Sequence, residues 1–134
     1  MIAPPDGFER HYRKSPLTDP WEPLFCRRLD DCLQLGLLVA APHTNSRGFA
    51  HGGLVSALAD NAMGLSCGLG LDGANGLLTV NLAMDFLSVA RVGQWLQVEP
   101  SVVKRGRTLC FASALVTADG KPCARATATF QVVS

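Results

Sequence analysis

From Leu54, the offsets 4, 8, 11 and 15 carry Leu58, Ala62, Leu65 and Leu69. That is one apolar stripe at helical spacing. Val55, Ala57, Ala59 and Met63 continue the apolar character on other faces, which predicts a helix buried nearly all round. The run contains one carboxylate, Asp60. At about 100° per residue it points almost opposite the Leu stripe, near Ser56 and Cys67. A carboxylate on a buried helix needs a partner, a polar cavity or a job.

Elsewhere the period shortens to two. Leu24–Leu29 and Cys32–Ala40 read as strands joined by a turn at Asp30-Asp31. A loop over 41–52 holds Asn45, Gly48 and His51, and the helix follows. Its exit, Leu71–Gly76, is glycine-rich and carries an Asp72-Gly73 turn signal. In Leu77–Phe86, alternation assigns Leu78, Val80, Leu82, Met84 and Phe86 to one face and Thr79, Asn81 and Asp85 to the other. Gln94–Lys104 and Thr108–Thr117 flank a turn at Gly106, and Asp119-Gly120 is a hairpin signal. The last strand, Pro122–Val133, sets Ala124, Ala126, Ala128, Phe130 and Val132 on one face. So small a face suits a sheet wrapped closely around the helix. The predicted architecture is α+β, one curved antiparallel sheet around one long helix, occupying residues 24–134. Residues 1–23, rich in proline and charge, are expected to be an irregular arm. A short helical piece is expected near Gly7–Arg13, with Trp21 and Phe25 as anchors.

Composition narrows the function. The 134 residues suit one domain, and a net charge of +1 offers no basic face for nucleic acid. No apolar run is free enough of polar interruption to span a membrane, and the first residues carry charges where a signal peptide needs an apolar core. Cys26, Cys32, Cys67, Cys110 and Cys123 are odd in number, scattered and without CxxC spacing. They are expected to be reduced thiols in a cytoplasmic protein, with neither a disulfide framework nor a metal site.

Two places could do chemistry. The first is the start of the helix, where N–H groups lack intrahelical partners and the dipole is positive. Gly52 and Gly53 would let an anion or a polarised carbonyl approach that backbone, or simply make a tight helix entry. The second is Asp60, either a functional carboxylate or a buried residue capping a neighbouring backbone. It lies seven residues beyond Gly53, about 10 Å along the axis. If both groups serve one site, Asp60 must come from a second copy of the chain in a two-fold dimer with two equal sites. His51 at the helix start suits a structural role through a ring nitrogen, and His11 and His43 are expected on the surface. Gly64-Leu65-Ser66-Cys67-Gly68 matches the serine-hydrolase G-x-S-x-G pattern, but it sits within the helical run where that motif needs a strand and a sharp turn. Lys104, Arg105 and Arg107, with Arg47, Arg91 and Arg125 as possible additions, form either a solvated hairpin end or a phosphate clamp.

The spacing Asn45-x-x-Gly48-x-x-His51-Gly52-Gly53, followed by Leu58-Ala59-Asp60, resembles the hotdog-fold acyl-CoA thioesterases of the PaaI-like, phenylacetate-degradation type. Thr79-x-Asn81, Asp85-Phe86-Leu87, Gly93, Gly106-Arg107 and the last Ala-Thr-Phe strand extend the likeness over roughly 24–133. Ser88-Val89-Ala90 stands where relatives often carry Arg-Pro-Ala. The resemblance implies a hotdog fold, a homodimer that often pairs into a homotetramer, and acyl-CoA hydrolysis without metal or cofactor. By it, Asp60 is the catalytic nucleophile or general base, and the Gly52 N–H polarises the thioester carbonyl with Gly53 beside it. Asn45 and His51 shape the loop, Thr79 positions water, and Lys104, Arg105 and Arg107 meet the CoA phosphates. The chemistry is adequate, because a thioester is already activated and a carboxylate is ionised at neutral pH. Met63, Phe86, Trp95 and the arm are expected to line the acyl tunnel. The alternatives are a non-catalytic acyl-CoA-binding hotdog module and a hotdog hydratase or dehydratase using His51. Thiol release from acyl-CoA, against water addition to an enoyl-CoA, separates these readings.

Overall fold

The computed structural model describes residues 3–71 and 76–133, so the Asp72-Gly73 turn signal lies outside the described residues. The elements run β1 (Glu9–Arg10), β2 (Phe25–Arg28), β3 (Leu33–Leu38), α1 (Gly52–Gly68), β4 (Gly76–Phe86), β5 (Trp95–Arg105), β6 (Leu109–Ala118) and β7 (Lys121–Val133), with 3-10 turns at Asp19–Trp21 and Ala41–His43. The strands form one antiparallel sheet in the order β1-β2-β3-β5-β6-β7-β4. α1 packs across β3 to β7 on its inner face. The predicted two strands, helix and four strands are all present. At the β6–β7 turn, Asp119 and Gly120 both take positive φ, the backbone that matches strand twist in a two-residue hairpin.

The core lies between helix and sheet. Leu58, Ala59, Ala62, Met63 and Cys67 of α1 are at most 1% exposed and meet Leu35, Leu37, Leu96, Val98 and Val116. Each large side chain of that set contributes about 1.5–3 kcal/mol on burial. The alanine face of β7 is buried as expected, from Ala124 to Phe130, and its small side chains let the sheet close on the helix. The helix is not buried all round: Asp60, Asn61, Gly64 and Leu65 are only half-buried and Gly68 is exposed. The buried face is therefore rotated away from the predicted Leu54–Leu65–Leu69 line.

Four expectations change. Glu9–Arg10 is a strand paired with Phe25–Cys26, not a helical piece, because Phe8 docks on Trp95 with ring centroids 5.2 Å apart. His11 and His43 are buried, not superficial. His43 Nδ1 accepts the Ala40 N–H at 2.9 Å while its Nε2 is 2.8 Å from the Trp21 carbonyl oxygen, which ties the arm to the loop before α1. Cys67 and Cys110 form a disulfide, with Cα atoms 6.3 Å apart. Helix-on-strand packing brings these two together, and spacing along the chain carries no trace of it. Finally, β4 does not alternate cleanly. Thr79 pairs with Phe130 but Asn81 with Thr129, so Val80 is an extra residue. This β-bulge reverses the facing: Leu78 and Val80 are exposed at 58% each, while Leu82 and Met84 turn inward.

Candidate active site

The loop before α1 is built around Asn45. Its Oδ1 accepts the N–H groups of Arg47 and Phe49 at 2.9 and 3.2 Å, and its carbonyl accepts that of Gly48, which sits at φ +82°. Ala50 N–H donates to Ala90 O, and His51 N–H to His43 O, so both ends of the turn are held. His51 is the N-cap of α1, its Nδ1 accepting the Gly53 N–H at 2.8 Å. This satisfies one orphan donor of the first turn. A Cβ on Gly53 would stand 3.0 Å from that nitrogen, and a Cβ on Gly52 would stand 3.2 Å from the Phe86 ring. Both glycines thus leave room for a neighbour. The Gly52 N–H donates to no group among the described residues. His51 and Asn45 are both occupied with backbone N–H groups.

Asp60 sits on the open side of α1. Thr79 Oγ1 donates to Asp60 Oδ1 at 2.7 Å. The β4 bulge makes this contact possible: simple alternation puts Thr79 on the face opposite Leu82, whereas the extra residue turns both toward the helix. The pair lies at the edge of a cavity of about 390 Å³, which runs along the second half of α1 between β4, Phe130 and the arm. Its lining includes Gly64, Gly68, Leu65 and Leu77, together with Asn61, Tyr12 and Arg13. The last three were not among the predicted site residues. Asn61 was legible as Asp60's polar neighbour on an apolar helix, but no sequence pattern marks Tyr12 or Arg13. Met63 and Trp95, expected in the tunnel, are buried elsewhere. Met63 is core, and Trp95 packs edge-to-face with Phe8 and at a tilt against Phe25.

The basic cluster divides. A second bulge, between Val102 and Lys104, sets Arg105 opposite buried Cys110. From there its Nη2 donates to Ser66 O at 2.8 Å, its Nε to Cys67 O at 3.2 Å, and its Nη1 to Asp31 Oδ1 at 2.9 Å. A Cβ on Gly70 would collide with this guanidinium. Arg105 therefore closes the carbonyl end of α1. Lys104 and Arg107 remain exposed. Arg125 pairs with Asp85 at 2.9 Å, and Arg91 lies over Phe49, so neither joins the hairpin end. Ser66 is inert as a nucleophile: its buried hydroxyl donates to Ala62 O at 2.7 Å and accepts the Leu33 N–H at 2.9 Å. Among the described residues, no cluster of His, Cys, Asp or Glu is placed to hold a metal, and no helix is long and apolar enough to cross a membrane.

Asp60 and Thr79 are thus brought together. Gly52 and Asp60 of one chain are not, being eight residues apart on a continuous helix, about 12 Å along its axis.

Residues 47–124 match the Thioesterase superfamily model. A "putative esterase" of Pseudomonas aeruginosa is 38% identical over 98% of this chain and 99% of its own length. Mouse "Acyl-coenzyme A thioesterase 13" is 30% identical over 83% of this chain and 73% of its own. Among solved structures, a "putative thioesterase, phenylacetic acid degradation-related protein" of Ralstonia eutropha superposes with a TM-score of 0.79 at 26% identity, covering 90% of this chain and 92% of that one. With one helix held in an antiparallel sheet and a polar pair at a cavity on its open side, the chain belongs to the thioesterase superfamily, as a hotdog-fold, PaaI-like thioester hydrolase.

Proposed function

We propose that this protein hydrolyses acyl-CoA thioesters to free acid and CoA, with Asp60 as nucleophile or general base and the Gly52 N–H polarising the thioester carbonyl. The observation that carries this reading is the Asp60–Thr79 pair at the cavity edge. It places a carboxylate on the open face of a largely small and apolar helix, and its hydroxyl partner arrives through the bulge in β4. Thr79 holds one carboxylate oxygen, which leaves the other for water or the thioester carbon. Asn45 and His51 hold the Gly52 loop. Lys104 and Arg107 are the cations left to meet CoA phosphates. A CoA substrate fits a cytoplasmic setting.

If Gly52 and Asp60 serve one carbonyl, their separation along the helix requires a site shared between two chains. β4 supports this geometry. It is the last strand of the sheet, bonded only to β7, and it exposes Leu78 and Val80 beside Asp60's partner Thr79. A long apolar free edge invites a second strand. A two-fold pairing there sets the two helices side by side and supplies each Asp60 with the partner's helix N-terminus.

The test mixes a folded Asp60→Asn chain with a Gly52→Pro chain, which lacks the N–H. Each homodimer is expected to be inactive. After subunit exchange, confirmed by tagged pull-down, a heterodimer carries both lesions in one site and none in the other, so activity returns toward half of wild type. Exchange without recovery overturns the shared site. Light scattering on the wild-type protein reads whether dimers pair into tetramers.

A further inference from the structure

The N-terminal arm is fastened to the body on both sides of Tyr12 and Arg13. Before them, Phe8 is clasped by Trp95 and by the Arg27 guanidinium, 4.5 Å from its ring centroid. His11 is 3% exposed, with its backbone N–H donating to Leu24 O at 2.9 Å. After them, Glu22 meets Lys14 at 3.3 Å and Arg10 at 3.4 Å, and accepts the Leu24 N–H at 2.8 Å. So many fixings, on an arm with only two strand residues, set the place of the two residues between them. Tyr12 leans on the His11 ring at 5.0 Å yet leaves 61% of itself exposed, and it does so at the cavity that holds Asp60.

We propose that this arm is the acyl-selecting wall of the site: Tyr12 limits the length of the acyl group, and Arg13 favours acyl groups with an anionic far end. The inference rests on the thioesterase reading of the cavity. Gly64 and Gly68 open the helix side of the cavity between Asp60, Leu65 and Leu69, and Leu77 and Phe130 make the sheet side beyond Thr79 apolar. Among the described residues of the same chain, the remaining wall is the arm. Among the described residues, Asp60 and Arg13 are the only charged ones in the lining, and no carboxylate pairs with Arg13. A carboxylate on the acyl chain gives that guanidinium a partner, while an alkyl end leaves it only solvent.

The test measures kcat/KM for acetyl-, hexanoyl-, decanoyl- and adipoyl-CoA. Tyr12→Ala is expected to raise the decanoyl-to-hexanoyl ratio about tenfold, within the usual range for discrimination in apolar pockets. Acetyl-CoA, too short to reach the wall, changes less than about twofold, and Tyr12→Phe keeps the wild-type ratio. Arg13→Gln is expected to lower the adipoyl-to-hexanoyl ratio about tenfold, the value of one charge-assisted contact. Variants that change all four substrates by one common factor, or none, overturn the proposal. If the wild-type protein releases thiol from no acyl-CoA, the hydrolase reading fails, and calorimetry with S-methyl-CoA and S-decyl-CoA judges the wall by itself. A roughly tenfold shift in their Kd ratio on Tyr12→Ala supports it, and an unchanged ratio overturns it.

Discussion

The two ends of α1 are treated oppositely. At the carbonyl end, three devices converge. Arg105 reaches in from β5 to cap Ser66 and Cys67, the Cys67–Cys110 disulfide ties the last turn to β6, and Ser66 is bonded to the backbone of β3. At the amide end, His51 satisfies Gly53 and leaves the Gly52 N–H to nothing among the described residues. A helix end left unsatisfied keeps a positive partial charge and a free donor, whereas a capped end holds the element in place. Two β-bulges set the contacts of the helix: one at Val80 brings Thr79 to Asp60 at mid-helix, and one at Val103 brings Arg105 to the carbonyl terminus. Bonds converge on the carbonyl end, and a free donor is left at the amide end.

The sharpest way to break this division is Asp60→Asn. Turnover is expected to fall about 10²-fold or more, a general-base contribution, with the melting temperature nearly unchanged. A folded variant that keeps near wild-type kcat removes Asp60 from the mechanism. Arg105→Ala is the converse. It strips a half-buried charge-assisted cap and should cost about 1–3 kcal/mol of stability, read by urea denaturation, while a folded fraction keeps kcat within about threefold. A large kcat loss without destabilisation would return Arg105 to the substrate. Smallest of all, neutralising Lys104 and Arg107 together should raise KM for acyl-CoA several-fold more than it lowers kcat. The effect should fade at high salt, because exposed charges are screened over about 8–10 Å. An unchanged KM makes this hairpin end wholly structural and completes the contrast.

Some of this was legible in the chain. Asp60 stood out because it is the one carboxylate in an apolar helical run, and Gly52-Gly53 because glycine at a helix start leaves donors open. The loop spacing from Asn45 to Gly53 carried the family likeness. Thr79 was reached only through that likeness, since clean alternation put it on the face opposite Leu82. Arg105 was grouped with Lys104 and Arg107 because adjacency along the chain says nothing of facing when a bulge intervenes. His11 and His43 read as surface residues because polarity alone hides a docked arm.

The sequence by itself determined the order of elements after the arm, the buried alanine face of β7, the Asp119-Gly120 hairpin and the position of the lone helical carboxylate. These follow from local backbone preference and from period, which act over a few residues. Tertiary structure alone decided what meets what: Thr79 with Asp60, Arg105 with the end of α1, Cys67 with Cys110, and Tyr12 with the cavity. Each of those contacts depends on sheet register, and one extra residue in a strand exchanges its two faces. Hydrophobic pattern cannot report such a shift where, as at Leu78 and Val80, apolar residues stand on the exposed face as well.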